Sequence, residues 1–235
     1  MTNPKKTEAD HIVETRDKVL YEALPHVVFD GWSAKTLALA VNDSGVDAGL
    51  AALAFPRGAV DLALAFHYDG DRKLADAMAA MDTSNMRYSE KIANGIRLRL
   101  ELVEGHREEV RRGSALFALP SHAGDGAKAI WHTADTIWNA LGDTSRDVNW
   151  YTKRATLSAV YSASVLYWLG DESGGEETDA FIDRRISNVM QFEKFKTTMR
   201  GNSLIQAFMS GPGKFLGNIK APGDPLEGFP GSIRK

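Results

Sequence analysis

The chain has 235 residues, of which 43% are hydrophobic, and its 28 Lys and Arg against 31 Asp and Glu give a formal net charge of -3. This composition is ordinary for a packed globular protein, and it excludes the overall basic excess that is typical of nucleic-acid-binding chains. Cysteine is absent, which excludes disulfides, thiolate metal sites and cysteine nucleophiles. No run of apolar residues approaches the roughly eighteen that a membrane-spanning helix needs, so any membrane contact would be peripheral.

The amino-terminal residues, MTNPKKTEAD, do not have the features of a targeting signal. They lack the apolar core of a secretory signal and are too short and too acidic for an obvious transit peptide. We therefore expect a protein that is made in the cytoplasm.

Apolar residues recur at spacings of three and four along almost every long segment, whereas alternating apolar and polar runs are missing. Since that spacing is typical of amphipathic helices, the sequence predicts an all-α fold. The first helix should end near Gly31, Ser33 should cap a second helix that ends at Gly45, and a third should cover residues 47–54. A fourth helix should begin near Arg57.

A larger helical body follows these short helices. The sequence Asp-Gly-Asp at residues 69–71 allows a break in the fourth helix. Beyond it, apolar stripes predict further helices at 86–110, 127–141, 148–169 and 176–191. We divide the chain into a helix-turn-helix region, a helical bundle, an amphipathic segment and a disordered tail, which cover residues 10–56, 57–192, 193–220 and 221–235.

The block GWSAKTLALAVNDSGVDAGLAALAFPRG, residues 31–58, has the spacing of a helix-turn-helix. It resembles the DNA-binding unit of the TetR repressor family, which implies a TetR-like helical bundle behind it. Residues 48–54, in the position of the recognition helix, are only Ala, Gly and Leu. Residues 30–61 hold two basic side chains against four acidic ones. Because phosphate contacts dominate affinity for DNA, we expect a degenerate unit that binds no nucleic acid.

The stretch IWNALGDTSRDVNWYTKRATL, residues 137–157, is the most distinctive part of the chain. Ser145 or Asp147 can cap the helix that carries Trp150 and Tyr151. Because successive residues lie about 100° apart on a helix, the two rings cannot share one face, so at least one lies at the edge of the core or on the surface. An apolar ring with a polar tip suits a partner interface, but packing of both rings within the bundle fits the spacing equally well.

The aromatic stretch resembles the accessory lipid-binding proteins of ubiquinone (coenzyme Q) biosynthesis, the ninth Coq proteins, through the pattern Trp138-x3-Gly142-Asp143-x-Ser145-x-Asp147-x-Asn149-Trp150-Tyr151-x2-Arg154. The match extends from residues 31–34 through 119–120 to 183–186. The residues before Asp10 are too few for the mitochondrial leader of eukaryotic members, which favours a bacterial relative or a mature form. We therefore expect a cytoplasmic protein, peripheral on the inner face of the bacterial inner membrane, or on the mitochondrial matrix side in a eukaryote.

This resemblance implies a TetR-like homodimer, an apolar cavity for an isoprenoid or quinone lipid, and a surface that docks the demethoxyubiquinone hydroxylase. It implies interaction residues rather than catalytic ones, and no cofactor. In the family the docking patch is built around the aromatic motif, which in this chain comprises Ile137, Trp138, Asp147, Asn149, Trp150, Tyr151 and Arg154.

Two apolar helix faces are candidates for the lining of the implied cavity. They comprise Ile92, Ile96, Leu100 and Val103 on one helix and Leu157, Tyr161 and Val165 on another. Packing in a core without a cavity predicts the same periodic pattern, so the spacing leaves both interpretations open.

Residues 194–220 form a cationic, apolar segment with five basic residues and no acidic one. On a helical projection its large apolar side chains share one face, which is typical of a helix that lies in a membrane interface beside anionic headgroups. Packing of the same face on the bundle or on a second subunit is the alternative, and Gly211-Pro212-Gly213 weakens one continuous helix. The candidate membrane-binding residues are Lys196, Arg200, Leu204, Ile205, Phe208, Met209, Lys214, Phe215, Leu216 and Ile219.

Metal and catalytic motifs are weak. Only Glu8-x-x-His11 fits half of a di-iron ligand pair, and His67 with Asp69 and Asp71, or His132 with Asp135, gives no three convergent ligands by local spacing. We favour ordinary surface or capping roles for these residues, and a solvated charged face for His106 and its neighbours at 107–109. We expect no metal and no enzymatic activity.

The sequence thus predicts a non-enzymatic protein that binds a polyprenylated quinone precursor and presents it to a hydroxylase at the membrane. The alternative is a TetR-type ligand-responsive transcriptional regulator, which would contact DNA through Lys5, Lys6 and Arg16. That alternative predicts salt-dependent binding to a duplex.

Overall fold

The structure is a computed structural model, and it describes residues 7–200, with side chains described at residue 7 and residues 10–191. Within this range the protein is all helical, as the sequence predicts. Its nine α-helices are α1 (Glu8–Asp30), α2 (Ala34–Ser44), α3 (Ala48–Ala54), α4 (Ala59–Ala80), α5 (Tyr88–Glu101), α6 (Arg107–Phe117), α7 (Ala123–Ala140), α8 (Val148–Trp168) and α9 (Glu176–Arg200), and a 3₁₀ helix covers Glu104–His106.

The first three helices have the predicted ends because each end is set by a local cap. The Ser33 hydroxyl accepts a hydrogen bond from the backbone N–H of Thr36, and Gly45 ends α2 in the left-handed conformation with φ of 63°. The Asp47 carboxylate accepts hydrogen bonds from the first backbone N–H groups of α3. Helices α2 and α3 both pack against α1, in the chain order of a helix-turn-helix unit.

The outward face of α3 is apolar and uncharged. Leu50 is 45% exposed and Leu53 is 62% exposed, and no basic side chain lies between them. At the end of the helix, Nε of Arg16 donates a hydrogen bond to the carbonyl oxygen of Ala54 at 2.9 Å. Arg16 therefore caps the end of α3.

Helix α4 runs without a break from Ala59 to Ala80, so the break that the sequence allows at 69–71 does not occur. A Cβ atom at Gly70 would lie 2.6 Å from a guanidinium nitrogen of Arg99. The next residue, Asp71, is 1% exposed and is ion-paired with the same arginine. The Asp-Gly-Asp sequence therefore serves a tertiary contact inside a helix, where turn residues would ordinarily indicate a loop.

The single helix expected at 86–110 is also wrong, because α5 ends at Glu101 and α6 begins at Arg107. Contacts with the end of α8 hold the intervening turn: Trp168 donates through Nε1 to Glu104 at 2.7 Å, and Arg107 donates to the carbonyl oxygen of Asp171 at 2.7 Å. The turn also directs Glu109 inward, where it is 5% exposed. The expectation of a solvated charged face is therefore wrong for Glu109.

Helices α4 to α9 form the main body, with a core between α5, α7, α8 and α9. A second core lies between α1, α2 and α4. Phe66 of α4 packs against both cores, which joins them into one body. Helix α9 continues to Arg200, beyond the expected end at residue 191, and the division at 10–56, 57–192, 193–220 and 221–235 stays a prediction.

Among the described residues, no single helix has the length and apolar character required to cross a membrane. Only α3 and α4 taken together reach those limits, and they are bent by 66° at the break between them.

Candidate functional site: an apolar cavity and an aromatic surface patch

A cavity of about 430 Å³ lies between α4, α5, α6, α7 and α8. Most of its walls are apolar side chains or small residues, including Phe66, Val110, Phe117, Ile130, Val165 and Leu166. A volume in this range is typical of sites that enclose a small organic molecule. The cavity is therefore a candidate site for an apolar ligand.

Four of the seven residues predicted to line a cavity do so: Leu100, Val103, Tyr161 and Val165. The other three do not, because Ile92, Ile96 and Leu157 are packed in the core. The stripe on α5 is continuous, but only its carboxyl-terminal end reaches the cavity. Ile92, Ile96 and Leu157 thus lie in the core beside the cavity, and a lipid-binding role for the seven residues stays a prediction.

The mouth of the cavity is marked by lining residues that are open to solvent. Leu166 on α8 is 66% exposed, and Ala118, Ala123 and Ala127 on the α6 and α7 side are also exposed. Gly126 lets α6 and α7 approach closely, since a Cβ atom there would lie 2.7 Å from Cβ of Phe117. Gly126 therefore sets how closely α6 and α7 pack at this side of the cavity.

Another part of the lining is polar and is organised around Asp71. Oδ1 of Asp71 accepts hydrogen bonds from Nε of Arg99 at 2.9 Å and from the hydroxyl of Thr133 at 2.8 Å. Nδ1 of His132 lies 2.7 Å from Oδ2 of Asp71. Nε2 of His67 lies 2.9 Å from the Thr133 hydroxyl. Arg99, His67 and Tyr161 line the cavity, so this polar network supports part of the cavity wall.

The contacts around Asp71 favour its charged form. Burial acts to raise the pKa of Asp71, but hydrogen bonds with His132 and His67 and the charges of His67 and Arg99 outweigh it, so the pKa lies well below its ordinary value. The hydrogen bond with Asp71 raises the pKa of His132. Burial raises the pKa of Tyr161, so its phenol group keeps its proton at neutral pH.

The polar network differs from what the sequence predicts for these residues. A surface or capping role is wrong for Asp71, which is fully enclosed, and Asp135 pairs with Arg154. Across the described residues, no three His, Asp or Glu side chains are arranged to hold a metal ion. Sequence reasoning also missed Arg99, although a charged residue between Ile96 and Leu100 in an apolar stripe was a usable signal.

An aromatic surface patch lies at the start of α8. The rings of Trp150 and Tyr151 meet edge to face with centroids 4.8 Å apart. The ring of Trp131 on α7 lies 5.8 Å from that of Trp150 and 6.4 Å from that of Tyr151. All three rings are partly exposed. We call Trp131, Trp150 and Tyr151 the aromatic patch, and Trp131 is the member that sequence reasoning missed.

Arg154 supports this patch from below. It is 1% exposed, and its guanidinium lies 4.1 Å from the centroid of the Trp150 ring. It donates to Oδ2 of Asp143 and to Oδ1 of Asn139, each at 3.1 Å, and it is ion-paired with Asp135. The ring of Trp150 therefore packs on a charged guanidinium whose position is fixed by its ion pairs and hydrogen bonds.

The seven predicted partner-binding residues fall into two groups. Asp147 and Asn149 are exposed, and Trp150 and Tyr151 are partly exposed. Ile137, Trp138 and Arg154 are 0%, 6% and 1% exposed, so they lie behind the exposed residues, and a partner-binding role for the seven residues stays a prediction. Asp147 is the predicted cap, since its carboxylate accepts a hydrogen bond from the backbone N–H of Asn149.

The predicted membrane-binding residues are not part of the described site. The side chains of Lys196 and Arg200 lie outside the described side chains, and the remaining residues lie outside the described chain altogether: Leu204, Ile205, Phe208, Met209, Lys214, Phe215, Leu216 and Ile219.

Comparison with known proteins finds similarity to the family that the aromatic motif resembles. The COQ9 family model matches residues 123–193, which include α7, α8 and most of α9. The chain is 28% identical over 204 residues to the mitochondrial ubiquinone biosynthesis protein COQ9 of Drosophila melanogaster, and 24% identical over 208 residues to that of Homo sapiens. A probable mitochondrial ubiquinone biosynthesis protein coq9 of Dictyostelium discoideum is 28% identical over 190 residues.

These alignments cover 84%, 83% and 78% of the chain for the Drosophila, human and Dictyostelium proteins. They cover 61%, 64% and 62% of the three relatives, in the same order. The chain thus spans less than two thirds of the length of each of these three relatives. The resemblance predicted from the sequence is confirmed over most of the present chain.

Proposed function

Because this chain resembles the COQ9 ubiquinone biosynthesis proteins, we propose that it is a non-enzymatic, lipid-binding accessory protein of ubiquinone biosynthesis. In this proposal it binds an isoprenoid or quinone precursor and presents it to the demethoxyubiquinone hydroxylase at a membrane. The observation that carries the proposal is the apolar cavity of about 430 Å³.

The physical need for such a protein follows from the chemistry of a prenyl tail. Each CH₂ group kept out of water contributes about 0.8 kcal/mol, so a long tail stays in the bilayer unless another apolar environment replaces the lipid. The wall formed by Val110, Phe117, Ile130 and Val165 supplies such an environment. The exposed Leu166 at the mouth gives the tail an apolar route inward.

Lipid binding is tested by filling the cavity from a position on α8. Ser162 lines the cavity and is partly buried, whereas Ala159 on the same helix is exposed and lies outside the lining. We expect Ser162→Trp to lose co-purified isoprenoid lipid, and Ala159→Trp to retain it. Lipid extraction with mass spectrometry, on protein purified from a quinone-producing bacterium, measures both. Equal lipid content in the two variants, or none in the unmodified protein, contradicts the proposal.

The aromatic patch is the proposed docking surface for the hydroxylase, since exposed Trp and Tyr side chains are enriched at protein interfaces. We expect Tyr151→Ala to weaken hydroxylase binding at least tenfold. Tyr21→Ala is the matched control, because Tyr21 on α1 is 74% exposed and lies outside the patch. Titration of each variant with purified hydroxylase, together with the mass of the protein alone, separates a docking surface from a homodimer interface. A changed dimer mass with unchanged hydroxylase affinity would assign the patch to the homodimer.

Peripheral membrane binding is proposed from the sequence of residues 194–220. Five basic residues without an acidic one attract anionic lipid headgroups, and each contributes roughly 1 kcal/mol near the surface. We expect the full chain to bind anionic vesicles and the double substitution Lys214→Glu with Lys220→Glu to weaken that binding.

The names of the relatives place those proteins in mitochondria. For this chain we propose the inner face of a bacterial inner membrane or the matrix side of the mitochondrial membrane.

A further inference from the structure

The polar part of the cavity wall is costly to build. Arg99 is 3% exposed and Asp71 is 1% exposed, so both charges are removed from water. The attraction within a buried ion pair does little more than offset this desolvation, and an apolar pair of similar size is often as stable or more stable. An ion pair in the wall of an otherwise apolar cavity therefore requires a reason other than stability.

The network immobilises Arg99. One of its guanidinium nitrogens donates to Asp71 and another to the carbonyl oxygen of His67 at 3.1 Å. Gly70 provides the space for the guanidinium, since any Cβ atom there would overlap it. A planar guanidinium fixed in this way presents N–H groups with a defined geometry. The arginine is thus preorganised beside the cavity.

Tyr161 is the second proton donor in this part of the lining. It is 4% exposed and lies on α8, and the charge of Arg99 acts on its phenol group. Burial outweighs that charge, raises the pKa of Tyr161 and keeps the hydroxyl protonated. The Tyr161 hydroxyl also has a hydrogen bond with the Thr133 side chain. An oxygen acceptor in the cavity would replace Thr133 as the partner of this hydroxyl, while Arg99 offers guanidinium N–H groups beside the cavity.

We propose that Arg99 and Tyr161 form a head-group subsite, which binds the ring oxygens of a neutral quinone or phenol while the apolar wall receives its tail. This inference rests on the proposed lipid-binding function and adds the chemical class of the head group. The negative charge of Asp71 offsets that of Arg99, and Glu109, whose carboxylate contacts His106, is a second acidic residue of the lining. The subsite therefore disfavours an anionic diphosphate on the same tail.

The test uses three probes that share a tail of two isoprene units. They are a ubiquinone with two isoprene units, a benzene ring that carries the same tail without ring oxygens, and geranyl diphosphate. Equilibrium dialysis of the full chain measures their dissociation constants. We expect the quinone to bind about tenfold more tightly than the benzene compound, because one or two hydrogen bonds contribute a factor of this order. Geranyl diphosphate should bind no more tightly than the benzene compound.

Two variants assign this preference to the subsite. Tyr161→Phe removes one hydroxyl, and we expect it to weaken quinone binding about fivefold while binding of the benzene compound is unchanged. Arg99→Lys keeps a positive charge beside Asp71 but loses the planar donor geometry, so it should reduce the same preference. Val165→Ala is the control, since it removes apolar contact and should weaken both compounds alike. If Arg99→Lys does not fold, Tyr161→Phe decides the question alone.

Each failure has a distinct meaning. Equal binding of the quinone and the benzene compound, or an unchanged preference in Tyr161→Phe, overturns the subsite and leaves lipid binding intact. Tighter binding of geranyl diphosphate overturns the neutral head group. If none of the three probes binds, the proposed lipid-binding function fails together with the subsite.

Discussion

Two buried arginines organise the two regions of interest, and their surroundings differ. Arg99 is paired with Asp71 in the wall of the cavity, whereas Arg154 is paired with Asp135 and Asp143 beneath the ring of Trp150. The first guanidinium lies beside an open space inside the molecule. The second is covered by an aromatic ring that is itself partly exposed. The same ionic chemistry thus supports an internal wall in one region and an external surface in the other.

The difference separates a binding role from a supporting role. Arg99 lines a cavity and can contact a ligand directly. Arg154 donates to Asp143, Asn139 and the carbonyl oxygen of Trp150 and is 1% exposed, so it acts through the residues it positions. Substitutions around Arg99 and substitutions around Arg154 should therefore change different properties of the protein.

The largest effect is expected from Arg154→Met. This change leaves the buried Asp143 and the partly buried Asp135 without their shared cation, and breaking a buried ion pair costs about 3–5 kcal/mol. Urea denaturation measures the loss in the free energy of unfolding. A loss below about 1 kcal/mol would mean that Lys153, which also contacts Asp143 at 2.7 Å, is sufficient for that carboxylate. Arg154 would then not be the residue that supports the aromatic patch.

A smaller loss is expected from Gly70→Ala. Alanine is the better helix former by about 1 kcal/mol, but its methyl group would overlap the Arg99 guanidinium, and such overpacking costs about 1–3 kcal/mol. The matched control is Gly124→Ala in α7, where a Cβ atom would meet nothing within 4 Å and should stabilise. Thermal unfolding of both variants measures the two signs. Stabilisation by both would show that Arg99 can move without cost.

The carboxylate of Asp143, which is paired with Arg154, predicts a contribution to the free energy of unfolding that is lost in acid. Burial acts to raise the pKa of Asp143, but hydrogen bonds from Lys153, Ser145 and Arg154 lower it from 3.8 to about 2. A lowered pKa contributes stability that is present above the unfolded value and is lost as the pH falls from about 4 to about 2. Asp143→Asn should therefore reduce stability at pH 6 and make less difference at pH 2. Urea midpoints at the two pH values measure this change.

The pair of His132 and Asp71 predicts a contribution to stability with the opposite dependence on pH. The hydrogen bond with Asp71 raises the pKa of His132 above 6.5, so its contribution is fully present below pH 6.5 and is lost as the pH rises through the folded pKa. The effect should be modest, because the His132 side chain is 51% exposed. We expect His132→Asn to lower the melting temperature more at pH 5.5 than at pH 9. An equal decrease at both values would contradict the assigned pair.

The smallest effect is expected at α3, which is remote from both clusters. Leu53 is 62% exposed, so Leu53→Lys should leave stability, lipid content and hydroxylase binding equal to those of the unmodified protein within experimental error.

The unmodified protein should show no affinity for duplex DNA at about 150 mM salt, since α3, in the position of the recognition helix, has no cation to bind phosphate. Salt-dependent duplex binding in a fluorescence-anisotropy titration would instead support the transcriptional regulator.

Local signals predicted the ends of several helices, and tertiary contacts account for the errors. Ser33, Gly45 and Asp47 act through hydrogen bonds or backbone conformation within a few residues, so their roles were readable from the sequence. The continuity of α4 depends on Arg99, which is 29 residues after Gly70. The turn after α5 depends on Trp168 of α8. Neither partner is visible in a local pattern.

The candidate site was predictable only where periodicity and position coincided. Periodicity identified the apolar face of α5, but the depth at which that face meets open space depends on how α6 and α7 are placed. Leu100 and Val103 therefore line the cavity, whereas Ile92 and Ile96 do not. Trp131 was missed in the aromatic patch because it belongs to a different helix from Trp150 and Tyr151.

The close approach of α6 and α7 at Gly126 has a consequence for how the protein can diverge. A methyl group there would overlap Cβ of Phe117, and both residues lie in the cavity lining. A single-nucleotide change from glycine to alanine would therefore push the two helices apart and alter the internal volume without adding a polar or charged group. For the proposed lipid ligand, selection for a longer tail would have one codon on which to act before any loop or interface had to change.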